Sequence, residues 1–168
     1  MLREHRHVTY VTADRFIADA RRTQVILHGL LHGVSQQRAM DSRDGEGGWS
    51  VIEIVCHLRD YEDFFRGRIE LMLDQDNPML PKYDHEALAI ERDYQHQDLR
   101  AAMADLLDHR RAFLVLLERL TEDQLQRGGV HPEIGPIRAF DSLVQLTHHD
   151  LTHLDQIARC LNLSERLL

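Results

Sequence analysis

The chain is short of what would tie it to a membrane, a disulfide scaffold or a nucleic acid. No apolar run approaches the roughly 20 residues of a membrane span, and the charged start from Met1 to His7 is followed by no hydrophobic signal core. Only two cysteines, Cys56 and Cys160, occur in 168 residues, at no metal-ligand spacing, so they read as buried free thiols. Lys82 is the sole lysine, and the arginines are scattered among acids. With a formal net charge of -8 there is no basic face to neutralise phosphates, which argues against a duplex DNA binder. Aromatics are few at 6%, and nothing is of low complexity. These absences leave a globular cytoplasmic domain, residues 1–168, with neither membrane nor nucleic acid as partner.

Histidine is what the chain does have, twelve in all, and position selects among them. The stretch His148-His149-Asp150-Leu151-Thr152-His153-Leu154-Asp155-Gln156-Ile157 reads as helix, and His149 and His153 then stand one above the other, about 6 Å apart along the axis. Steps of three and four carry that face through Leu143, Leu146, His149, His153, Ile157 and Cys160, so both imidazoles lie in an apolar stripe. Buried rings need partners. Carbonyls or Asp and Gln neighbours would serve, and so would a metal ion, which an H-x-x-x-H pair on a helix is spaced to chelate. Two ligands do not close a site. His148 lies about 100° away around the helix and belongs to the surface.

A first amphipathic helix runs from about Ala13 to His32 through Ile17, Ala20, Gln24, Leu27 and Leu31, with Gly33 as its C-cap. Ser35 to Gly48 reads as a loop. The second helix has a sharp start: Ser50 and Glu53 form a capping box, with Trp49 and Ile54 placed as a hydrophobic staple. Its core face carries Ile54, His57 with Leu58, Tyr61, Phe65, Ile69 and Met72, making His57 the third core-facing imidazole. It lies about two turns from its helix start, a depth like that of His149 and His153 if their helix begins near Ala139 or Asp141. Asp60 and Gln156 follow His57 and His153 by three positions, where a side chain can orient a ligating ring; solvated surface polarity explains them as well. Asp74 to His96 is a long link, either crossing the length of the bundle or containing a short helix near Glu86 to Arg92. A third helix from about Leu99 to Leu120 is broken on its apolar stripe by Arg110, in a polar layer or reaching solvent. Thr121 to Arg138 is a second long, Gly/Pro-rich connection. Four amphipathic helices with long loops between them predict an all-α four-helix bundle, with no strand alternation to compete.

Trp49-Ser50 with His57, and the run His149-Asp150-Leu151-Thr152-His153-Leu154-Asp155-Gln156-Ile157, resemble the DinB-like metal-binding superfamily. The likeness extends to Leu117–Leu120 with Thr121 and to the turn His131-Pro132-Glu133-Ile134-Gly135-Pro136. The resemblance implies an up-down-down-up bundle, often a homodimer, with three histidines on a divalent metal; by motif match these are His57, His149 and His153. Many relatives carry glycine where this chain has Asp155, which bears on the surroundings of the ligands. Some relatives use a low-molecular-weight thiol such as bacillithiol or mycothiol in transferase or isomerase reactions, and most have no assigned activity. His131 sits in a turn that could fold over the bundle mouth; an ordinary loop histidine is its simpler reading, and a polar group in the pocket its functional one.

Three neutral imidazoles leave a metal's charge uncompensated and a coordination position open, the pattern of catalytic rather than structural sites. Imidazole suits zinc, nickel, iron and copper alike. The first expectation is therefore a metal-dependent transferase in which a small thiol attacks an electrophilic small molecule. A water-activating hydrolase uses the same residues. A bundle that sequesters metal without turnover, or one whose core histidines serve only partner binding, are the alternatives from other classes.

Overall fold

A computed structural model describes residues 12–163. In chain order the elements are α1 (Ala13–Leu31), α2 (Gln36–Asp41), α3 (Val51–Asp74), α4 (His85–Glu91), a 3-10 turn (Tyr94–His96), α5 (Leu99–Leu117), α6 (Glu122–Leu125), the strands β1 (Gly128–His131) and β2 (Gly135–Arg138), and α7 (Ala139–Cys160). The four long helices form the bundle. Local chemistry starts them. Ser50 Oγ accepts from Glu53 N–H while the Glu53 carboxylate accepts from Ser50 N–H at 2.7 Å, and Asp98 caps α5 by accepting from Ala101 N–H at 2.8 Å.

The core has two apolar clusters. In one, the first halves of α3 and α5 (Ile52, Val55, Leu99, Leu106) meet the last halves of α1 and α7 (Leu27, Leu31, Leu154, Ile157). In the other, the later parts of α3 and α5 (Phe65, Ile69, Phe113, Leu117) meet the beginnings of α1 and α7 (Ile17, Ala20, Leu143, Leu146). Arg110, 2% exposed, lies within this core as a polar node. Its guanidinium donates to Glu62 on α3 at 2.7 Å, to Asp150 on α7 at 2.9 Å and to the Ala20 carbonyl on α1 at 2.6 Å; Thr23 on α1 also donates to Asp150. One arginine thus joins all four bundle helices. Of the two readings open for Arg110, the polar layer is the one found.

Two of the three connections hold structure not expected of loops, and the one after α3 takes the short-helix form, one of its two readings. Ser35 caps α2, and the Gln36 side chain reaches the start of α5, accepting from Leu99 N–H at 2.7 Å and donating to Gln97 O at 2.8 Å. The link after α3 contains the short helix α4, and α5 ends at Leu117, short of Leu120. The link after α5 holds an antiparallel hairpin, Gly128↔Arg138 to His131↔Gly135, so the chain is mostly helical rather than all-α. Its outer edge is completed from elsewhere: Val130 N–H donates to Pro78 O at 2.8 Å and Leu80 N–H to Val130 O at 2.9 Å. Gly129 permits the close approach, since a Cβ there would lie 2.9 Å from Met72 and 3.0 Å from Leu80. Four-residue strands give too little alternation to be read from sequence. No helix among the described residues is long and apolar enough to cross a membrane.

Candidate metal centre

The capping box fixes where α3 begins, and hence which way His57 points from its second turn. Across from it, α7 presents His149 and His153 on successive turns. The three rings converge: centroids are 4.9 Å apart for His57 and His149, 4.6 Å for His57 and His153, and 4.5 Å for His149 and His153. One nitrogen from each lies within 4.8 Å of the other two, and the Nε2 atoms of His57 and His149 are 2.9 Å apart. Three nitrogens around a tetrahedral ion with bonds of about 2.05 Å would stand about 3.3 Å from one another, a spacing between the 2.9 Å of this pair and the 4.8 Å that bounds the set.

Burial holds all three rings neutral, below the usual imidazole range. For His57 the charges of His149 and His153 add to desolvation, and for His149 those of His153 and Arg110 do. Neutral imidazole is the form that ligates. The bland alternative, core histidines bonded to carbonyls or to Asp and Gln neighbours, is met at His153 alone: among the described residues His57 and His149 hydrogen-bond only to each other, Nε2 to Nε2, and their Nδ1 atoms are buried without a partner. Aromatic contacts position those rings instead. Tyr61 stacks on His149 at 4.8 Å and 17°, and Trp49 meets His57 edge-on at 4.9 Å.

His153 is oriented by hydrogen bonding. Its Nδ1 lies 2.7 Å from Gln156 Oε1. An amide oxygen only accepts, so it takes the proton from Nδ1–H, which leaves Nε2 bare for an ion. Gln156 therefore stands where the sequence places it. Asp60 does not support His57: its carboxylate accepts from Arg59 and Arg92 at 2.7 Å each and from the Tyr94 hydroxyl, fastening the 3-10 turn to α3. Three donors, from Arg59 on α3 itself and from Arg92 and Tyr94 opposite, outcompete an imidazole one turn away. Asp155 faces solvent in an ion pair with Arg159, and His148 is exposed.

The triad opens into a cavity of about 530 Å³ walled by Trp49, Tyr61, His85, Glu86 and Gln156, with Gly47 and Gly48 at its edge. His131 is outside it. That ring lies on β1 in an adjoining cavity with Arg68 and Tyr83, its Nδ1 accepting from Glu133 N–H at 3.2 Å. His85 is a member of the wall that sequence reasoning passed over; its ring is 6.1 Å from His57 and 5.7 Å from Trp49. It opens α4 directly after the N-cap Asp84, and only that cap marked the position. Cys56 and Cys160 are free and buried, with thiols pushed up to about 12 and about 11 by desolvation; neither joins the triad.

Fold and site together define a helical-bundle protein with a three-histidine site able to hold a metal. The chain belongs to the DinB superfamily, which it matches over residues 19–157. YfiT of Bacillus subtilis is 28% identical over 124 residues, 71% of this chain and 70% of YfiT. The structure of YfiT, described as a probable metal-dependent hydrolase with an unusual four-helix bundle topology, superimposes with a TM-score of 0.80 over 96% of this chain and 93% of YfiT. An Oceanobacillus iheyensis protein named for the same class of hydrolase is 30% identical over 67% of this chain and 64% of its own length. A mycothiol-dependent maleylpyruvate isomerase shares the fold, with a TM-score of 0.71 at 15% identity, and this chain covers 61% of that longer protein.

Proposed function

We propose that this chain is a metal-dependent enzyme in which His57, His149 and His153 hold a zinc, nickel or iron ion and a low-molecular-weight thiol is delivered to an electrophilic small molecule. The observation that carries the reading is the convergence of three imidazoles on one cavity, with one nitrogen from each within 4.8 Å of the others. When bound, a divalent ion supplies a Lewis acid that draws the pKa of a coordinated water or thiol towards neutrality. The rest falls to the chain. Its neutral donor set leaves the ion's charge to the nucleophile, Gln156 keeps the ligating nitrogen of His153 aimed inward, and Trp49 and Tyr61 wall the reacting end. His85 stands outside the ligand set at a place where it can exchange a proton with a molecule in the cavity. An up-down-down-up course accords with this reading, since the starts of α3 and α5 share a cluster with the ends of α1 and α7. The substrate is a small molecule rather than a nucleic acid, as the charge of -8 suggests; a homodimer is what the family resemblance implies, and a cytoplasmic place is the expectation from the sequence.

Hydrolysis by the same residues is the second reading, favoured by the description given to YfiT. Metal-reconstituted protein assayed with 1-chloro-2,4-dinitrobenzene and a thiol, and separately with 4-nitrophenyl acetate without one, separates them. Conjugation that needs both metal and thiol and vanishes in His57→Ala is expected. Ester cleavage alone would move the reading to hydrolysis, and neither reaction in a metal-loaded protein would leave a sequestering bundle.

A further inference from the structure

Arg68 is a charged group that the triad chemistry does not use. It is only 7% exposed, yet its hydrogen bonds go to a neutral acceptor, the Pro81 carbonyl, from Nε at 3.3 Å and Nη2 at 2.9 Å. Arg110, 2% exposed, is matched by two carboxylates; Arg68 has no carboxylate in salt-bridge contact among the described residues, and Glu133 acts on it only from beyond that distance. A desolvated guanidinium without a counter-charge is costly. The plane is nevertheless held in place: it lies 5.3 Å over the Tyr83 ring, which stacks on Phe64 at 3.6 Å and 6°.

Arg68 lines the cavity of about 470 Å³ that also receives Lys82, Tyr83, His131 and Glu133. Of the other charges there, Glu86 has no ion pair among the described residues and lies on the wall shared with the triad, and the rest are engaged. Lys82 pairs with Glu133 at 2.7 Å, and the Asp84 carboxylate caps α4, accepting from Ala87 N–H at 3.0 Å. Because His131 accepts at Nδ1, its neutral ring carries the proton on Nε2, a second donor in the same cavity. Tyr61, His85 and Glu86 line both this cavity and that of the triad. Eleven residues separate His57 from Arg68, three turns of α3 on nearly one face and about 16 Å along the axis. The guanidinium is thus too far to touch an ion at the triad and near enough for one elongated molecule to touch both.

We propose that Arg68, with His131 beside it, is a carboxylate-binding subsite that anchors the far end of an elongated small-molecule acid whose other end lies at the triad. A guanidinium offers paired N–H donors matched to a carboxylate, which lysine cannot reproduce. The reacting end of this assignment rests on the metal reading; the anchoring end does not.

Calorimetric titration of zinc-loaded, untagged protein with succinate, adipate and suberate tests it, with Arg68→Gln beside the parent. Suberate is expected to bind the parent at least tenfold more tightly than succinate does, and that gain is expected to vanish in Arg68→Gln with zinc content unchanged. Equal suberate affinities in the two proteins would overturn the subsite. Should Arg68→Gln fail to fold, the parent decides alone: octanoate must shift the His131 ring resonances in zinc-free protein, and shifts that leave His131 untouched overturn the subsite. Zinc-free protein also separates this inference from the metal reading. A parent that takes up no zinc but binds octanoate through Arg68 keeps the subsite and sinks the metal centre, whereas zinc uptake with no Arg68 dependence does the reverse.

Discussion

Gln156 and Asp60 each follow a triad histidine by three residues, and they do opposite things. The Gln156 amide oxygen accepts from His153, whereas Asp60 is claimed by Arg59, Arg92 and Tyr94. Spacing named both candidates and could not rank them, because Asp60's partners lie up to 34 residues along the chain. Gln156→Ala should lower zinc affinity by about 10- to 100-fold with the helical signal retained, read by competition with a chromophoric chelator; unchanged affinity would mean that packing alone orients His153. The protonation of the triad has its own signature. Ordinary imidazoles with pKa near 6.5 would be mostly protonated at pH 6, and three of them would release about two protons on taking up an ion. Here burial depresses all three, His57 and His149 far enough to be neutral at pH 6, which leaves His153, itself lowered, as the one ring with a proton to give. Zinc titration at pH 6 in two buffers of different ionisation enthalpy should therefore show well under one proton released per ion.

At the scale of elements, what was legible depended on how far the controlling partner lay. The start of α3 is set by Ser50 and Glu53, three residues apart, and is visible in the sequence. α2 docks through Gln36 onto a residue 63 positions on, and β1 completes its edge with Pro78 and Leu80, so both were read as loop. The Ser50 hydroxyl also donates to Gln95 Oε1 at 2.7 Å, so the same group that caps α3 reaches the 3-10 turn. Ser50→Ala removes both contacts and should cost about 1–2 kcal/mol, measured as a lower midpoint in urea with an unchanged slope. A loss within error would mean that the packing of Val51 and Ile52 alone sets the start of the helix.

For the whole molecule, the determining residue is Arg110. Its interruption of an apolar stripe was visible, but that Glu62 and Asp150 face it could not be seen, since the pairs span 48 and 40 residues. Asp150 adjoins His149, and Glu62 adjoins Tyr61, the ring stacked on His149. The node therefore fixes how α3 and α7 are turned towards the cavity. Burial raises the Glu62 carboxyl against the pull of Arg110, so the pair is balanced only while the guanidinium is present. Arg110→Met leaves two buried carboxylates without a counter-charge and should destabilise the fold by about 3–5 kcal/mol, seen in urea unfolding; a neutral effect would show that the node is not a structural requirement. The bundle and its three histidines follow from helical faces that the sequence displays, whereas the cavity wall supplied by His85 depends on a link whose path only the folded chain reveals.

The central claim is that His57, His149 and His153 hold a metal ion. Elemental analysis of untagged protein purified without added metal or chelator, beside the His57→Ala, His149→Ala, His153→Ala triple variant, tests it most directly. The account predicts close to one divalent ion per parent chain and none in a variant that remains folded. A parent that holds no ion even after incubation with zinc, nickel or iron(II), or a triple variant that holds as much as the parent, would contradict it.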